Sequence, residues 1–467
     1  MSEMNLAQGS PPYGDSLLTA VVDEQLAVYK TPMRSKLFFL SSGANELEPP
    51  PLYRSFLRRE YDKSGLLQCY TNGTGYPPLV KMTAAYESFG AGKRVSAELR
   101  KSHSAVVTFG AAGAISGAMN CIAKQQLLKV LLIDYTYPIF ERVVKLTGGQ
   151  IYQVLPKDPT KPVLMEDAIR AIFHIQPNIV ILCNTSNPTG QSYDQSFLDG
   201  VFKASKQVGT WVIYDRVCDF DIGQDAECNC LPIGLTSGIV DRLVIVNSIS
   251  KTCALPGLRI GWAFCPKAMA EDIGELQFRL CENPLMAGVT PLILDLWLRM
   301  ENVAENSEGS LDLPDRQDLS QLYDFDGLIR PRQSREFFEK TFLSQEMDNI
   351  YRIHVNHFEK QVNIFHHNFG VFKSLLGPKL ENCPTKMKGY NVMFSRKDFR
   401  STDPVRITSE LIHDVGLSTV PEACFISSQE LAQTDRSHFR LSLATKPAQF
   451  KGACKRFANW SPTSVGV

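Results

Sequence analysis

Short runs of apolar residues alternate with polar stretches through the middle of the chain. Most of the runs are continuous rather than alternating, which is typical of strands buried on both faces. They are Ala105–Phe109, Val130–Asp134, Ile151–Leu155, Ile179–Cys183, Trp211–Asp215, Leu243–Val246 and Ile260–Cys265. The stretches between them, such as Asp194–Lys206, have the polarity and length of helices. This rhythm predicts an α/β fold with a mostly parallel, seven-stranded sheet covered by helices.

A different pattern begins after the predicted sheet. Between Glu301 and Asp326 the chain has eight acidic residues, one arginine, few apolar positions and no clear period. A basic run with Arg330, Arg332 and Arg335 follows. Such a segment can bury little apolar surface, so we predict an inserted surface loop or lid. An inert solvated insertion is an equally good alternative.

From Val355 to Phe369 an apolar residue recurs every three or four positions, which predicts one apolar stripe along a long helix. His354 and His357 could share a helix face, but no carboxylate at ligand spacing joins them, so ordinary helix histidines are favoured over a metal site. We expect an N-terminal arm with part of a small domain (1–60), a large domain (61–300), an acidic insertion or lid (301–345) and the remaining small α+β domain (346–467).

The overall composition narrows the class of protein. Hydrophobic residues make up 44% and charged residues 21% of the 467 positions, as in an ordinary globular protein. The formal net charge is zero, so charge gives no reason to expect nucleic acid or a membrane surface as a partner. Cys228 and Cys230 lack a second Cys/His pair nearby, and we predict no metal site. Neither a secretory signal nor an apolar run of about 18–20 residues is visible, so we expect a cytoplasmic protein.

The segment most informative about chemistry is Asn247–Trp262, with the sequence NSISKTCALPGLRIGW. Lys251 follows a predicted strand and precedes a Pro-Gly turn, so its amine can be held in a partly desolvated place. Desolvation lowers the pKa of an amine, which can then act as a nucleophile and form a Schiff base. The hydroxyls of Ser248 and Ser250 and the planar fork of Arg259 are suited to bind phosphate.

This segment resembles the cofactor-lysine motif of the class I and II aminotransferases, the fold type I enzymes that use pyridoxal 5′-phosphate (PLP). The resemblance implies that Lys251 carries the cofactor as an internal aldimine, and that Ser248 and Arg259 hold its phosphate. The strand, small-residue turn and helix start TFGAAGAISGAM also resemble the family, which places the phosphate at the backbone of Ala111 and Ala112. The family fold has a large PLP-binding domain and a small domain made from both chain ends.

Three further segments resemble those around the cofactor ring in this family. The turn SNPTG at 186–190 implies that Asn187 hydrogen-bonds the phenolate oxygen near the substrate carboxylate. The strand WVIYD implies that Asp215 keeps the pyridine nitrogen protonated, which makes the ring an electron sink. The turn DYTYP implies an aromatic ring on the pyridine face, with Tyr137 as the first candidate and Tyr135 as the alternative.

Other matching segments imply substrate and subunit contacts. The strand FRLSLA resembles the one whose arginine binds the substrate α-carboxylate, which makes Arg440 the candidate. The loop with Ser41 and Gly43 resembles, more weakly, the family's substrate-side loop. The segment YTNGTGYPPL resembles one whose tyrosine reaches the phosphate of a neighbouring subunit, so Tyr70 implies a homodimer with shared active sites.

The chain also departs from the family pattern. Cys218 stands where the family has a tyrosine that donates a hydrogen bond to the cofactor phenolate. A thiol is a weaker donor, so the pKa of the internal aldimine should rise. Neutral drift and changed chemistry are both open explanations. Ser41 replaces a frequent glycine, and Glu422 occupies a turn that is usually Pro-Gly. With the acidic insertion, these features favour a divergent member.

The resemblance therefore implies a PLP-dependent enzyme that acts on an α-amino acid through an external aldimine and a quinonoid, with Lys251 as the acid–base group. An aminotransferase is the leading hypothesis. A lyase, cyclase or β/γ-replacement enzyme that resembles 1-aminocyclopropane-carboxylate synthase is the alternative, because the fold does not choose among these reactions. A non-catalytic binding protein on this fold is disfavoured by the retained residues. The sequence does not identify the amino acid.

Overall fold

The computed structural model describes residues 13–30, 37–41, 43–63, 70–124, 127–220, 230–282, 288–307, 311–315, 347–399, 403–427 and 437–462. Cys228 and the basic run with Arg330, Arg332 and Arg335 lie outside these residues. So does most of the acidic stretch, apart from residues 301–307 and 311–315. The interpretation of this segment as a surface loop or lid therefore stays a prediction.

The described strands form three sheets. In chain order they are β1 (Phe38–Phe39), β2 (His103–Phe109), β3 (Lys129–Ile133), β4 (Gln150–Val154), β5 (Ile179–Cys183), β6 (Trp211–Asp215), β7 (Leu243–Ser248), β8 (Ile260–Pro266), β9 (Leu380–Asn382), β10 (Asn391–Arg396), β11 (Leu417–Ser418), β12 (Val420–Pro421) and β13 (Phe439–Ser442).

The described helices cover the sheets and connect them. They are α1 (Gly14–Tyr29), α2 (Pro51–Lys63), α3 (Pro77–Ser88), α4 (Lys93–Ser102), α5 (Gly110–Ala123), α6 (Ile139–Leu146), α7 (Met165–Ile175), α8 (Gln195–Val208), α9 (Cys230–Ser237), α10 (Ile249–Thr252), α11 (Lys267–Arg279), α12 (Val289–Glu305), α13 (Met347–Leu376), α14 (Pro404–Glu410) and α15 (Pro447–Asn459). None of these helices is both long and apolar enough to cross a membrane.

The large sheet has the strand order β2-β8-β7-β6-β5-β3-β4. Strands β3 to β7 run parallel to one another, and β8 runs antiparallel to both of its neighbours. Every predicted apolar run forms one of these strands, and β5 and β6 have the predicted bounds. The prediction of a mostly parallel, seven-stranded sheet is therefore confirmed.

Burial on both faces explains why the strand runs are continuously apolar. In β5 all residues are buried, and alternate side chains point to opposite faces of the sheet. Val180 and Leu182 pack into the core on one face, whereas Ile179 and Ile181 pack into the core on the other. Helices on both sides thus leave only the strand ends free for chemistry.

A second, smaller unit contains the antiparallel sheet β12-β13-β10-β9 and the parallel pair β1-β11. Phe38 pairs with Leu417, so the N-terminal part of the chain joins the C-terminal part, as predicted for a domain made from both ends. The predicted long helix is α13, and Phe358, Phe365 and Phe369 of its apolar stripe are buried.

The start of the predicted insertion differs from the expectation. Helix α12 continues to Glu305, so residues 301–305 complete a helix instead of opening a loop. Val303 and Ala304 pack against the core beneath α12, which explains why the helix persists through acidic positions. The remaining domain bounds stay a prediction.

Candidate active site

The site lies where the parallel strands of the large sheet end. Asn187 follows β5, Asp215 is the last residue of β6, and Lys251 follows β7 in the short helix α10. The carboxyl ends of parallel strands meet at one edge of a sheet, so the fold brings these residues together from distant parts of the sequence. Asp215 and Lys251 are close enough for each charge to act on the pKa of the other group.

Hydrogen bonds hold the turn that carries Lys251. Ser248 Oγ accepts from the Ser250 N–H at 3.1 Å, which caps α10, and donates to the Ile260 carbonyl at 2.7 Å. The two serine hydroxyls lie 2.9 Å apart. Asn45 Nδ2 donates to the Lys251 carbonyl at 3.0 Å, a contact that sequence reasoning missed. The backbone beneath the lysine is thus fixed from both sides.

Burial controls the charges at this edge of the sheet. It lowers the pKa of the Lys251 amine, and the neighbouring cation Arg440 lowers it further. Burial raises the pKa of Asp215 to about 6, and a hydrogen bond from the Val217 N–H at 2.9 Å and the charge of Lys251 offset this only in part. The amine is thereby made more nucleophilic, and the carboxyl group is suited to pair with a cation.

A cradle for an anion lies where β8 passes the start of α5. A Cβ on Gly261 would lie 2.5 Å from the Ala111 nitrogen, and a Cβ on Gly110 would lie 2.8 Å from Arg259 Nη2. Phe109 at the N-cap of α5 makes no side-chain hydrogen bond to the helix, and the N–H groups of the first turn, including Ala112, point toward the helix start. These groups and the guanidinium combine positive potential with donors, as phosphate binding requires.

Arg440, predicted to bind the substrate carboxylate, is held by contacts from two segments. Its Nη1 donates to Asn187 Oδ1 at 2.9 Å, and its Nη2 donates to the Ser41 carbonyl. Gly43 has a φ of +57°, and a Cβ there would lie 2.8 Å from Arg440 Nη1, which explains the glycine. The Ser41 hydroxyl points away, toward Gln25 and Ser418. Ser41 therefore contributes its backbone to the site.

The two tyrosines predicted as candidates for the cofactor ring differ in their surroundings, and their roles stay a prediction. Tyr135 is 3% exposed and packs in a core with Leu17 and Phe425. Tyr137 is 44% exposed and is near enough to raise the pKa of Arg440, against the larger lowering by burial. Tyr70 lies on the surface of the chain with 90% of its side chain exposed.

A family model for class I and II aminotransferases matches residues 35–289, which is more than half of the 467 residues. The chain belongs to this family. Members of the family use PLP. The residues at the sheet edge fit this cofactor: the cradle at α5 suits its phosphate, Asp215 suits its ring nitrogen and Lys251 suits its aldehyde. Among the described residues, no group of three or more His, Cys, Asp or Glu could hold a metal ion.

Several family members are similar to parts of the chain. The aspartate aminotransferase of Streptomyces avermitilis is 26% identical over 268 residues, which are 57% of this chain and 63% of that protein. Kynurenine–oxoglutarate transaminase 3 of Homo sapiens is 23% identical over 265 residues, which are 54% of this chain and 55% of that protein. The chain thus matches less than two thirds of the length of each relative.

Solved structures resemble the chain over a longer range. The aspartate aminotransferase from Thermus thermophilus with maleate has a TM-score of 0.68 and 17% identity, over 97% of this chain and all of the other. YbdL from Escherichia coli, with a methionine aminotransferase function, has a TM-score of 0.66 and 17% identity, over 97% of this chain and all of the other. These likenesses show that the fold is that of the fold type I aminotransferases.

One departure from the family brings an unpredicted residue into the site. Cys218 is buried, and its Sγ lies 4.0 Å from the hydroxyl of Tyr390, which donates to the Gly43 carbonyl. The loop before β10 carries Tyr390 and is docked on the SNPTG turn, because the Gly190 carbonyl accepts from the N–H groups of Lys388 and Gly389. No local motif marks this loop, so sequence reasoning missed Tyr390.

Two other charged side chains have buried partners within the protein. Arg216, which follows Asp215, contacts Glu87 at 3.1 Å and Asp219 at 2.9 Å through its two Nη atoms. Glu422 Oε2 lies 2.8 Å from His438 Nδ1. These side chains are therefore accommodated by local pairing.

Proposed function

We propose that this chain is a PLP-dependent aminotransferase that acts on an α-amino acid. The observation that carries the proposal is that β13 of the small sheet brings an arginine close to two groups at the edge of the large sheet. The three groups are an amine with a lowered pKa (Lys251), a buried carboxyl group (Asp215) and a buried guanidinium (Arg440). Membership of the aminotransferase family supports it further.

Asp215 and Lys251 would have separate roles in the reaction. Bound PLP supplies an electron-withdrawing ring that spreads negative charge from the substrate Cα. Asp215 holds a proton on the ring nitrogen, which keeps the ring electron-withdrawing. Lys251 Nζ, whose pKa is lowered by burial, takes the proton from the substrate Cα.

Arg440 would bind the substrate α-carboxylate through its two Nη atoms. Asn187 accepts from one of these atoms at 2.9 Å and so orients the guanidinium. The carbonyl of Ser41 accepts from the other, which ties the substrate-side loop to the same group. These two contacts restrict the guanidinium of Arg440 to one orientation. A substrate carboxylate bound to it would therefore be held in a fixed position, with the Cα proton in a fixed orientation.

We also propose a homodimer in which Tyr70 contributes to the phosphate site of the partner. Its ring is 90% exposed, and Phe278 and Leu280 near the same surface are 61% and 58% exposed. A Cβ on Gly73 would lie 3.2 Å from Phe278 Cβ, so the Tyr70 segment and the end of α11 form one surface. An exposed apolar surface of this kind is typical of an interface. Sedimentation that reports only monomers would contradict this part of the proposal.

The test is incubation of the purified, PLP-loaded protein with pairs of α-amino acids and 2-oxo acids, followed by mass spectrometry of the products. An aminotransferase converts the amino acid into its 2-oxo acid and the 2-oxo acid into a new amino acid, in equal amounts. A protein that gains no visible or near-ultraviolet absorption with PLP and transfers no amino group would contradict the proposal.

Cys218 favours one alternative, a lyase, cyclase or β/γ-replacement enzyme, because a changed donor beside the cofactor can change which bond is broken. The same incubation distinguishes the two. Ammonia, an eliminated group or a ring product without a new amino acid would select the alternative. A place in the cytoplasm stays a prediction.

A further inference from the structure

The thiol of Cys218 is poorly suited to donate the hydrogen bond that the family tyrosine gives to the cofactor phenolate. Burial raises the pKa of this thiol to about 11, and the charge of Asp215 raises it in the same direction. The group is therefore a neutral thiol at neutral pH, and a neutral thiol is a weak donor. If Cys218 alone faced the cofactor phenolate, that oxygen would lose a strong hydrogen bond.

A phenol from another part of the fold lies next to this thiol. Tyr390 comes from the loop before β10, and its ring is fully buried. Phe220 and Phe365 hold the ring by edge contacts and tilted packing, with centroids 5.3 Å and 5.8 Å away. Its hydroxyl lies 4.0 Å from Cys218 Sγ. A cysteine side chain is shorter than a tyrosine by a whole ring, and the hydroxyl of Tyr390 thus ends beside the shortened position.

The hydroxyl of Tyr390 is also a protonated donor. Burial raises its pKa well above the usual value, with Cys218 adding to the rise and Arg440 opposing it. The single proton goes to the Gly43 carbonyl, which belongs to the substrate-side loop. Because a phenol has one proton to donate, a second acceptor would compete with Gly43 for it.

We propose that Tyr390 is the phenol donor of this site and hydrogen-bonds the cofactor phenolate oxygen. It would thus take the role of the family tyrosine that Cys218 replaces. The inference rests on the proposed function, since it requires that PLP is bound through Lys251. It has a consequence for the substrate side. When the Tyr390 proton serves the cofactor, Gly43 loses its donor, and the loop from Ser41 to Gly43 is coupled to the state of the cofactor.

The test compares Tyr390→Phe with Cys218→Ala in PLP-loaded protein without substrate. The pH titration of the visible absorption of the Lys251-bound cofactor reports how strongly the phenolate is stabilised. The charged and titratable groups around Lys251 are Asp215, Cys218, Arg259 and Arg440. All four are kept in Tyr390→Phe, and the control Cys218→Ala changes Cys218 alone. Tyr390→Phe keeps the ring packing and removes only the hydroxyl.

We expect Tyr390→Phe to raise the apparent pKa of this absorption by about one to two units and to weaken PLP binding about tenfold, because a hydrogen bond to a charged group is lost. Cys218→Ala should move the pKa by less than about 0.3 units, since only a weak donor is removed. An unchanged titration in Tyr390→Phe, or an equal or larger shift in Cys218→Ala, would overturn the inference.

A second variant keeps the test decisive if Tyr390→Phe folds poorly. Replacement of Tyr390 by 3-fluorotyrosine keeps the hydroxyl and makes it a stronger donor, so the titration should move in the opposite direction, to lower pH. No movement would contradict the inference. A wild-type protein that gains no absorption with PLP would contradict the proposed function itself, whereas normal absorption with insensitivity to Tyr390 would sink only the role of Tyr390.

Discussion

Two buried carboxyl groups, Asp215 and Asp295, flank the turn that carries Lys251, and their surroundings differ. Burial raises the pKa of Asp215 to about 6, and its neighbours compensate this only in part. Burial acts on Asp295 in the same direction, but Arg299 and His354 hold its pKa well below the usual range. The charge of Asp215 is therefore compensated only in part, whereas Asp295 has two cationic neighbours that stabilise its charged form.

The contacts of Asp295 explain the difference. Arg299 Nε and His354 Nε2 lie 2.9 Å and 2.8 Å from its Oδ1, and the Tyr53 hydroxyl donates to its Oδ2 at 3.1 Å. Cys253 Sγ, two residues beyond Lys251, lies 3.3 Å from the same Oδ2. Asp295, which is paired within the protein, stabilises the turn, whereas Asp215, whose pKa is raised, is the candidate for a functional role.

The largest effect is expected at the lysine between the two carboxyl groups. Lys251→Ala should lower the rate of amino-group transfer on the order of 10⁴-fold or more, because the nucleophile and the base are lost together. The fold should persist, because the Asp295 group still anchors the turn. Initial rates with matched circular dichroism check this, and Lys124→Ala, at an exposed surface lysine, is the control. Normal turnover in Lys251→Ala would show that the site is assigned wrongly.

The next largest effect is expected at the paired carboxylate. Asp295→Asn should lower the free energy of unfolding by about 3–5 kcal/mol, because it leaves the Arg299 charge buried without its partner. Since the folded pKa of Asp295 is depressed, its stabilisation is present above its unfolded pKa of about 3.9 and is lost as pH falls below that value. Urea unfolding at pH 7 measures the loss. Adding Arg299→Leu should restore part of it, and a larger loss in the double variant would contradict the pairing.

The smallest effect has the opposite sign. Asp215→Asn should raise the free energy of unfolding of the cofactor-free protein at pH 8 by at most about 3 kcal/mol. The folded pKa of about 6 lies above the unfolded value, so stability is lost as pH rises toward and through 6. Asparagine keeps an acceptor for the Val217 N–H, and only the charge is removed. The gain should vanish near pH 4, and a destabilised variant at pH 8 would erase the contrast with Asp295.

Features that depend on local sequence patterns could be predicted from the sequence. The bounds of β5 and β6 were predictable because buried parallel strands are continuous apolar runs. Lys251, Asp215 and Asn187 stand at strand ends within local motifs, so they could be proposed from the sequence. The structure places Asp215 near Lys251 and Asn187 against Arg440, and their roles stay a prediction.

The rest depends on contacts between distant segments that no local pattern encodes. Asn45 reaches the Lys251 carbonyl across 206 positions, and Tyr390 reaches Gly43 across 347 positions. The short strands of the small unit carry weak signals, and a helix such as α12 runs on into acidic residues because Val303 and Ala304 pack beneath it. Tertiary packing, rather than propensity, fixes these features.

The central claim is that Lys251 carries the cofactor, and borohydride reduction tests it most directly. Reduction of the PLP-loaded protein would fix the cofactor to its lysine by a stable bond, and peptide mass spectrometry would then locate it. The account predicts a phosphopyridoxyl group on Lys251 and its loss from that peptide in Lys251→Ala. A label on another lysine, or no label after loading with PLP, would contradict the account.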